Sequence, residues 1–356
     1  MQTPVVLVTG VDPDAMATTM VGLQFGLPGA VAVRHHIDVE RQVLTRTVSD
    51  LTGVLEQHEI TLEHACVSCA IREDVLPTLE RLARDGRWQS IVAHLPVGGE
   101  AGQVCWVLAR ENGLARLLRV TAVVAAVSGQ DPVQALLGAD LLAERGVHSS
   151  HDDRRGVGEV LGALVEHADV IAFDGATDPV ARGLVRTLAR PDATIVTGAS
   201  DLDDATLTGR LHHHSRTEAW TAPTRAHDLP LTGAEGIWQL DLRSSFPFHP
   251  GRLLDSLEQL GTGHHRSRGC FWLPTRPGRV IAWDGAGGQL SIGHHGPWGD
   301  QEPFTRIVMT GVGVAPEHAR AAFAAMLVQP GETWHRGSDM GEDGFEPWLG
   351  PIRDAA

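Results

Sequence analysis

The chain has 356 residues and contains no lysine, so its 29 basic residues are all arginine and its formal net charge is −15. This length predicts about two domains, and the acidic balance argues against a broad nucleic-acid-binding surface. The N-terminus lacks the charged and apolar regions of a signal peptide, and no apolar run is long enough to cross a bilayer. With 4 cysteines in so long a chain, the sequence predicts a cytoplasmic protein whose thiols serve redox or metal chemistry rather than a disulfide framework.

Over residues 1–200, short β-rich runs alternate with helical patterns such as those at 73–84 and 182–188. Alternating strands and helices predict a largely parallel sheet covered on both faces. The predicted strands are Val5–Val8, Ala30–Val33, Ser90–Ala93, Ala122–Val127, Val170–Phe173 and Thr194–Thr197.

The remainder of the chain divides into three predicted segments. Residues 201–234 carry an acidic cluster, three consecutive histidines and two prolines, which predicts a linker. Residues 235–330 predict an α+β domain, with strands at 237–242, 269–273, 279–283, 289–292 and 306–309 and helices at 250–260 and 316–327. Residues 331–356 are predicted to be a loosely packed tail. The fold class is therefore α/β, a P-loop-type sheet followed by an α+β domain.

The first strand runs into glycine at the position where a phosphate-binding loop begins. Such a loop reads G-x-x-x-x-G-K-[ST]: its backbone N–H groups surround the phosphates, its lysine neutralises them and its hydroxyl holds Mg²⁺. Counting from Gly10, the second glycine, the lysine and the hydroxyl residue are replaced by Ala15, Met16 and Ala17. Gly10, Thr18 and Thr19 remain as candidate residues of a vestigial nucleotide site.

A second motif, Cys66 and Cys69 three positions apart, is a candidate zinc site, because two thiolates at this spacing can bind one ion tetrahedrally. His64 and Glu63 lie beside the pair and could complete the shell. Two alternatives are a pair of buried small residues and a redox-active pair.

Histidines are frequent, 19 in all, and three of them are consecutive in the predicted linker. His212, His213 and His214 are candidates for auxiliary, transient metal binding, since imidazole is the commonest metal ligand. The alternative is a solvated surface segment. Cys105 and Cys270 are predicted to be buried small residues rather than ligands.

These motifs resemble the CobW family of P-loop GTPase metallochaperones. The family carries G-C-x-C-C-[TS]-[LIV]-R downstream of its P-loop, and residues 65–72 here read A-C-V-S-C-A-I-R. The family's C-terminal pattern, R-x-K-G-x-x-W-L-A-T-R-P followed by A-G-G and Trp, is similar to the sequence at 268–277, 286–288 and 298, although Arg268 and Pro274 replace the lysine and the alanine of the pattern. The resemblance spans residues 4–330 and implies a GTPase-like first domain and a zinc-related function.

Two further nucleotide motifs of the family are altered. The segment E-T-x-G-x-A-D-P, which handles the Mg²⁺–phosphate end, corresponds to H-L-P-V-G-G-E-A at 94–101, and the guanine-reading N-K-x-D corresponds to D-G-A-T at 174–177. Loss of the lysine, the Mg²⁺ ligand and the base reader together predicts that GTP and Mg²⁺ are bound weakly or not at all.

The altered motifs, the start of the chain and the C-V-S-C-x-I-R element resemble an actinobacterial branch of the family that recruits ribosome hibernation factors. That resemblance implies a zinc-linked adaptor acting at ribosomes under zinc limitation. The alternative is an active GTP-dependent zinc metallochaperone that delivers zinc to client proteins, so enzymatic activity stays open. The partner is expected to be a protein, either a hibernation factor, a ribosomal protein or a zinc client. Acidic segments at 201–204 and 339–346 are its candidate docking surfaces. The alternative is that these acidic residues only keep the chain soluble.

Overall fold

A computed structural model describes residues 2–62, 66–225, 228–230, 233–332 and 342–352. The chain forms two compact units. The first runs to Thr221, apart from Leu136–Ala139, and the second contains those four residues and the chain from Ala222 onward. The predicted linker therefore divides between the two units, and its histidine triplet belongs to the first.

The first unit is built on an 8-stranded sheet in the order β4-β3-β2-β5-β1-β6-β7-β8. Strands β2, β5, β1, β6, β7 and β8 run parallel, whereas β3 and β4 add antiparallel pairs at one edge. The strands are β1 (Thr3–Gly10), β2 (Ala30–Asp38), β3 (Val43–Asp50), β4 (Gly53–Thr61), β5 (Ser90–His94), β6 (Leu118–Val127), β7 (Val170–Phe173) and β8 (Thr194–Thr197).

Helices connect these strands and cover both faces of the sheet. Val5 and Leu7 of β1 pack into one apolar cluster, while Val6 and Val8 pack into another on the opposite face, as alternation along a strand requires. The helices are α1 (Pro13–Gly26), α2 (Val67–Ala70), α3 (Leu76–Asp85), α4 (Ala101–Arg110), α5 (Asn112–Leu117), α6 (Pro132–Leu137), α7 (Val157–His167), α8 (Pro179–Leu188), α9 (Asp204–Leu207) and α10 (His214–Thr221).

All six strands predicted for this unit are confirmed, and so is the parallel core of the sheet. The β3–β4 hairpin was not predicted, because most side chains of β4 are polar and exposed and give no apolar pattern. The helix predicted at 73–84 starts earlier, with a π-helical turn at Ile71–Val75 that continues into α3.

The second unit is a 5-stranded antiparallel sheet in the order β12-β11-β10-β13-β9, which confirms the predicted α+β fold. Helices and the sheet enclose an apolar core that includes Phe248, Phe271 and Trp283. The helix predicted at 250–260 is divided into two. The elements are β9 (Ile237–Ser244), α11 (Pro250–Ser256), α12 (Glu258–Gly261), β10 (His265–Phe271), β11 (Arg279–Ala286), β12 (Gln289–Pro297), β13 (Thr305–Val312), α13 (Ala319–Met326) and α14 (Glu346–Leu349).

The expectation of a loosely packed tail is wrong for residues 342–352. Phe345 is fully buried in the core of the second unit. Asp343 accepts hydrogen bonds from Arg276 Nε at 2.9 Å and from Thr275 Oγ1 at 2.6 Å. Arg276 Nη2 also donates to Gly350 O at 2.9 Å. Asp343 is therefore part of an internal ion pair and cannot belong to an acidic docking surface.

Among the residues that the structure describes, no helix has the length and apolar character needed to cross a bilayer.

Candidate functional site

The connection from β1 to α1 is too short for a phosphate-binding loop. Only Val11 and Asp12 separate Gly10 from Pro13, where the helix begins. The Asp12 carboxylate is the N-cap and accepts hydrogen bonds from the backbone N–H groups of Asp14 and Ala15, both at 2.9 Å. In a nucleotide-binding loop, groups of this kind point at phosphate. Here the chain's own carboxylate takes the place of the anion.

The residue at the lysine position lies in the core rather than at a site. Met16 is fully buried in the apolar cluster beneath β1. Its Cγ occupies the space beside Gly10, where a Cβ on that glycine would lie 2.8 Å away. Of the two hydroxyl residues that follow, Thr18 is exposed and Thr19 is buried.

The two other altered nucleotide motifs are also occupied by internal contacts. His94, at the glutamate position of the Mg²⁺ motif, is buried, and its Nδ1 lies 2.8 Å from Leu95 O. Burial lowers the pKa of His94 to about 4, with a smaller contribution from Arg34. At the base-reading position, Asp174 Oδ1 accepts a hydrogen bond from Gly129 N at 2.6 Å.

The predicted cysteine pair lies at the start of α2. Cys66 is the N-cap of this helix, and its Sγ accepts a hydrogen bond from Cys69 N at 3.3 Å. Both thiols are half-buried, and the hydrogen bond with Cys66 raises the pKa of the Cys69 thiol. The spacing thus brings two soft ligands to one helix end, which fits half of a tetrahedral zinc shell.

Glu63 and His64, the predicted additional ligands of that shell, lie outside the described residues. Within the described part of the chain, no third histidine, cysteine or carboxylate joins Cys66 and Cys69 within 4.8 Å.

The three linker histidines separate in the structure. His212 is buried, and its backbone N–H donates to Val120 O at 3.1 Å. His213 is exposed and lines a polar cavity together with Arg210 and Arg216. His214 is half-buried at the start of α10.

Two of these histidines lie close to a cysteine that the sequence predicts to be a buried core residue. Cys105, on α4, is buried as predicted. Its Sγ and one ring nitrogen each of His212 and His214 all lie within 4.8 Å of one another. Burial raises the pKa of the Cys105 thiol far above its usual range. No spacing in the sequence indicates this cluster, because α4 and α10 are far apart along the chain.

Residues 237–327 match the family described as "Cobalamin synthesis protein cobW C-terminal domain". The chain is 32% identical over 317 residues to "Zinc chaperone Rv0106" of Mycobacterium tuberculosis, covering 84% of this chain and 74% of that protein. It is 22% identical over 258 residues to "Zinc-regulated GTPase metalloprotein activator 1" of Dictyostelium discoideum, covering 67% and 54%.

The chain also aligns with the crystal structure of Zn(II)-bound YjiA GTPase from E. coli, at 16% identity over 92% of this chain and 99% of that one. The TM-score of this alignment is 0.35.

Proposed function

Because this chain belongs to the CobW family, we propose that it is a zinc-linked adaptor whose GTPase-like domain serves as a scaffold. Under zinc limitation it recruits a hibernation factor to ribosomes. The observation that carries the scaffold part is the closed N-terminus of α1. The Asp12 carboxylate accepts hydrogen bonds from the backbone N–H groups that would otherwise bind phosphate. At the lysine position, the Met16 side chain fills the space beside Gly10.

The zinc part is supported by the paired thiols of Cys66 and Cys69 and by the relatives whose names describe a zinc chaperone and a zinc-regulated activator. The recruiting part is supported by the resemblance of residues 1–10 and 66–72 to the hibernation branch. A chain with a formal net charge of −15 is expected to bind a basic protein more readily than ribosomal RNA, because carboxylates repel phosphates. Exposed Asp201, Asp203 and Asp204 are the candidate surface.

Replacing both Cys66 and Cys69 with alanine is expected to lower the zinc content of the purified protein by about one ion per chain, since two thiolates supply half of one tetrahedral shell. Metal analysis of protein purified without chelator measures this. Cys270→Ala is the matched control, because Cys270 is fully buried in the second unit. Equal zinc content in the wild type and the double variant would rule the pair out.

The proposed partner is tested by affinity purification of the full chain from zinc-starved and zinc-replete cells. The adaptor hypothesis predicts a hibernation factor in the starved sample only. Recovery of zinc enzymes under both conditions, without a hibernation factor, would contradict it.

The second candidate function is an active GTP-dependent zinc metallochaperone, favoured by the names of the relatives. It requires GTP turnover with Mg²⁺, and turnover that responds to Zn²⁺. Hydrolysis that is abolished by Thr18→Ala, a change at an exposed side chain, would favour this candidate and contradict the scaffold.

A further inference from the structure

Three side chains of metal-ligand type converge inside the first unit, away from the Cys66–Cys69 pair. They are Cys105 on α4, His212 two residues before the start of α10, and His214 at the first residue of α10. One potential ligand atom of each lies within 4.8 Å of the other two. The exposed fraction is 3% for Cys105, and 1% and 17% for the side chains of His212 and His214. This cluster is therefore shielded from solvent on most sides.

A carboxylate fixes the orientation of His212. His212 Nδ1 lies 2.8 Å from Asp169 Oδ2. The same carboxylate accepts a hydrogen bond from Val123 N at 2.8 Å and forms an ion pair with Arg190. Anchored in this way, Asp169 holds the imidazole with Nε2 facing the opposite direction. A carboxylate on the far nitrogen is the usual arrangement behind a metal-bound histidine, where it sets the tautomer and strengthens the ligand.

Three ring nitrogens of the cluster lack a hydrogen-bond partner. His212 Nε2 and both ring nitrogens of His214 are buried and make no hydrogen bond. His214 Nε2 lies 3.2 Å from Glu218 Oε1, within ion-pair distance but without hydrogen-bond geometry. Most buried polar atoms in proteins are hydrogen-bonded, and a bound ion, a water molecule or a functional role can account for an exception. Simple packing of the three side chains would leave the desolvation cost of these nitrogens uncompensated.

We propose that Cys105 Sγ, His212 Nε2 and one ring nitrogen of His214 bind a single divalent transition-metal ion, with Zn²⁺ as the matching class. Two imidazoles and one thiolate form a donor set that suits Zn²⁺ or Co²⁺ and excludes Mg²⁺ and Ca²⁺, which prefer oxygen ligands. Binding forms a metal–sulfur bond as the Cys105 thiol releases its proton to solvent. The fourth position is open to water or to a carboxylate such as that of Glu218.

This site differs in position and ligands from the cysteine pair, so the two can be tested separately. The probe is Co²⁺, whose thiolate charge-transfer absorption reports a cobalt–sulfur bond directly. The background is the full chain carrying Cys66→Ser and Cys69→Ser, which removes the other candidate thiols. Titration of this protein is expected to give a charge-transfer band that saturates at about one equivalent of Co²⁺.

Adding Cys105→Ala to that background is expected to abolish the band. Adding His212→Gln removes a direct ligand and is expected to weaken Co²⁺ affinity by more than the roughly tenfold to hundredfold loss that follows mutation of an outer-shell partner. His213→Ala is the matched control, because the His213 side chain is exposed and lines the cavity with Arg210 and Arg216. This variant should leave the Co²⁺ titration unchanged. Circular dichroism of each variant shows whether the chain keeps the secondary structure of the wild type.

Two outcomes would overturn the proposal. One is a folded Cys66→Ser, Cys69→Ser protein that gives no charge-transfer band. The other is a Cys105→Ala variant that keeps the band. Neither result depends on the adaptor function, and loss of zinc from the Cys66 and Cys69 variants alone would leave this site unaffected.

Discussion

Replacing Met16 with lysine is expected to cost about 4–5 kcal/mol of unfolding free energy and to leave the protein without GTPase activity. The change restores the residue that a nucleotide-binding loop carries, but Met16 is fully buried against Gly10 and the apolar cluster around it. A lysine there would place an amine among apolar side chains with no partner. The midpoint of urea denaturation measures the loss, and a GTP turnover assay measures activity.

Met16→Leu is the control for this experiment, since it keeps volume and apolarity and should cost less than about 1.5 kcal/mol. A Met16→Lys protein that is as stable as the wild type and hydrolyses GTP would show that the lysine position opens onto a usable site. The scaffold function would then be wrong.

The second large effect is expected in the second unit, where Gly269→Ala should cost about 3 kcal/mol or more. Gly269 lies on β10 between β11 and β13. A Cβ on this residue would lie 1.8 Å from Arg306 O and 3.1 Å from Ile307 Cα. Both atoms are backbone atoms of a neighbouring strand, so no side-chain rotation relieves the clash. The expected result is a lower melting temperature for the second unit in a calorimetric scan.

Gly293→Ala on β12 provides the matched comparison. It also places alanine in a strand of this sheet, but its Cβ would meet no atom within 4 Å. We therefore expect its melting temperature to stay close to that of the wild type. Equal melting temperatures for the two variants would mean that β10 and β13 can separate locally without cost. The clash gives a physical reason for glycine at this position of the chain.

Much of this architecture was predictable because its strands are apolar and its turns carry glycine. The apolar runs at Val5–Val8 and Val170–Phe173 are buried strands, and such runs predict a parallel sheet. The start of β10 was missed because His265, Arg266 and Ser267 are polar yet buried. Arg266 is accommodated there by an ion pair with Asp284, a partner on another strand that the pattern within one segment does not reveal.

The candidate sites also divide into features that are local in the sequence and features that depend on tertiary packing. The spacing of residues after Gly10 predicts that Met16 replaces the phosphate-binding lysine, and the spacing of Cys66 and Cys69 predicts that they pair. Both features are local in the sequence. That Asp12 satisfies the helix N-terminus could be inferred from an aspartate followed by proline, a common helix start. The meeting of Cys105 with His212 and His214 could not, since it depends on how α4 and α10 pack against each other.

The unequal burial of the four cysteines determines how this protein can be chemically labelled. Cys66 and Cys69 are half-buried, whereas Cys105 and Cys270 are buried, and burial raises the pKa of the Cys270 thiol to about 12. Brief alkylation of the native protein should therefore modify only the first pair. Because the chain contains no lysine, cross-linkers that join lysine side chains have none to attack. Reagents directed at its 44 carboxylates are the suitable chemistry for capturing a partner.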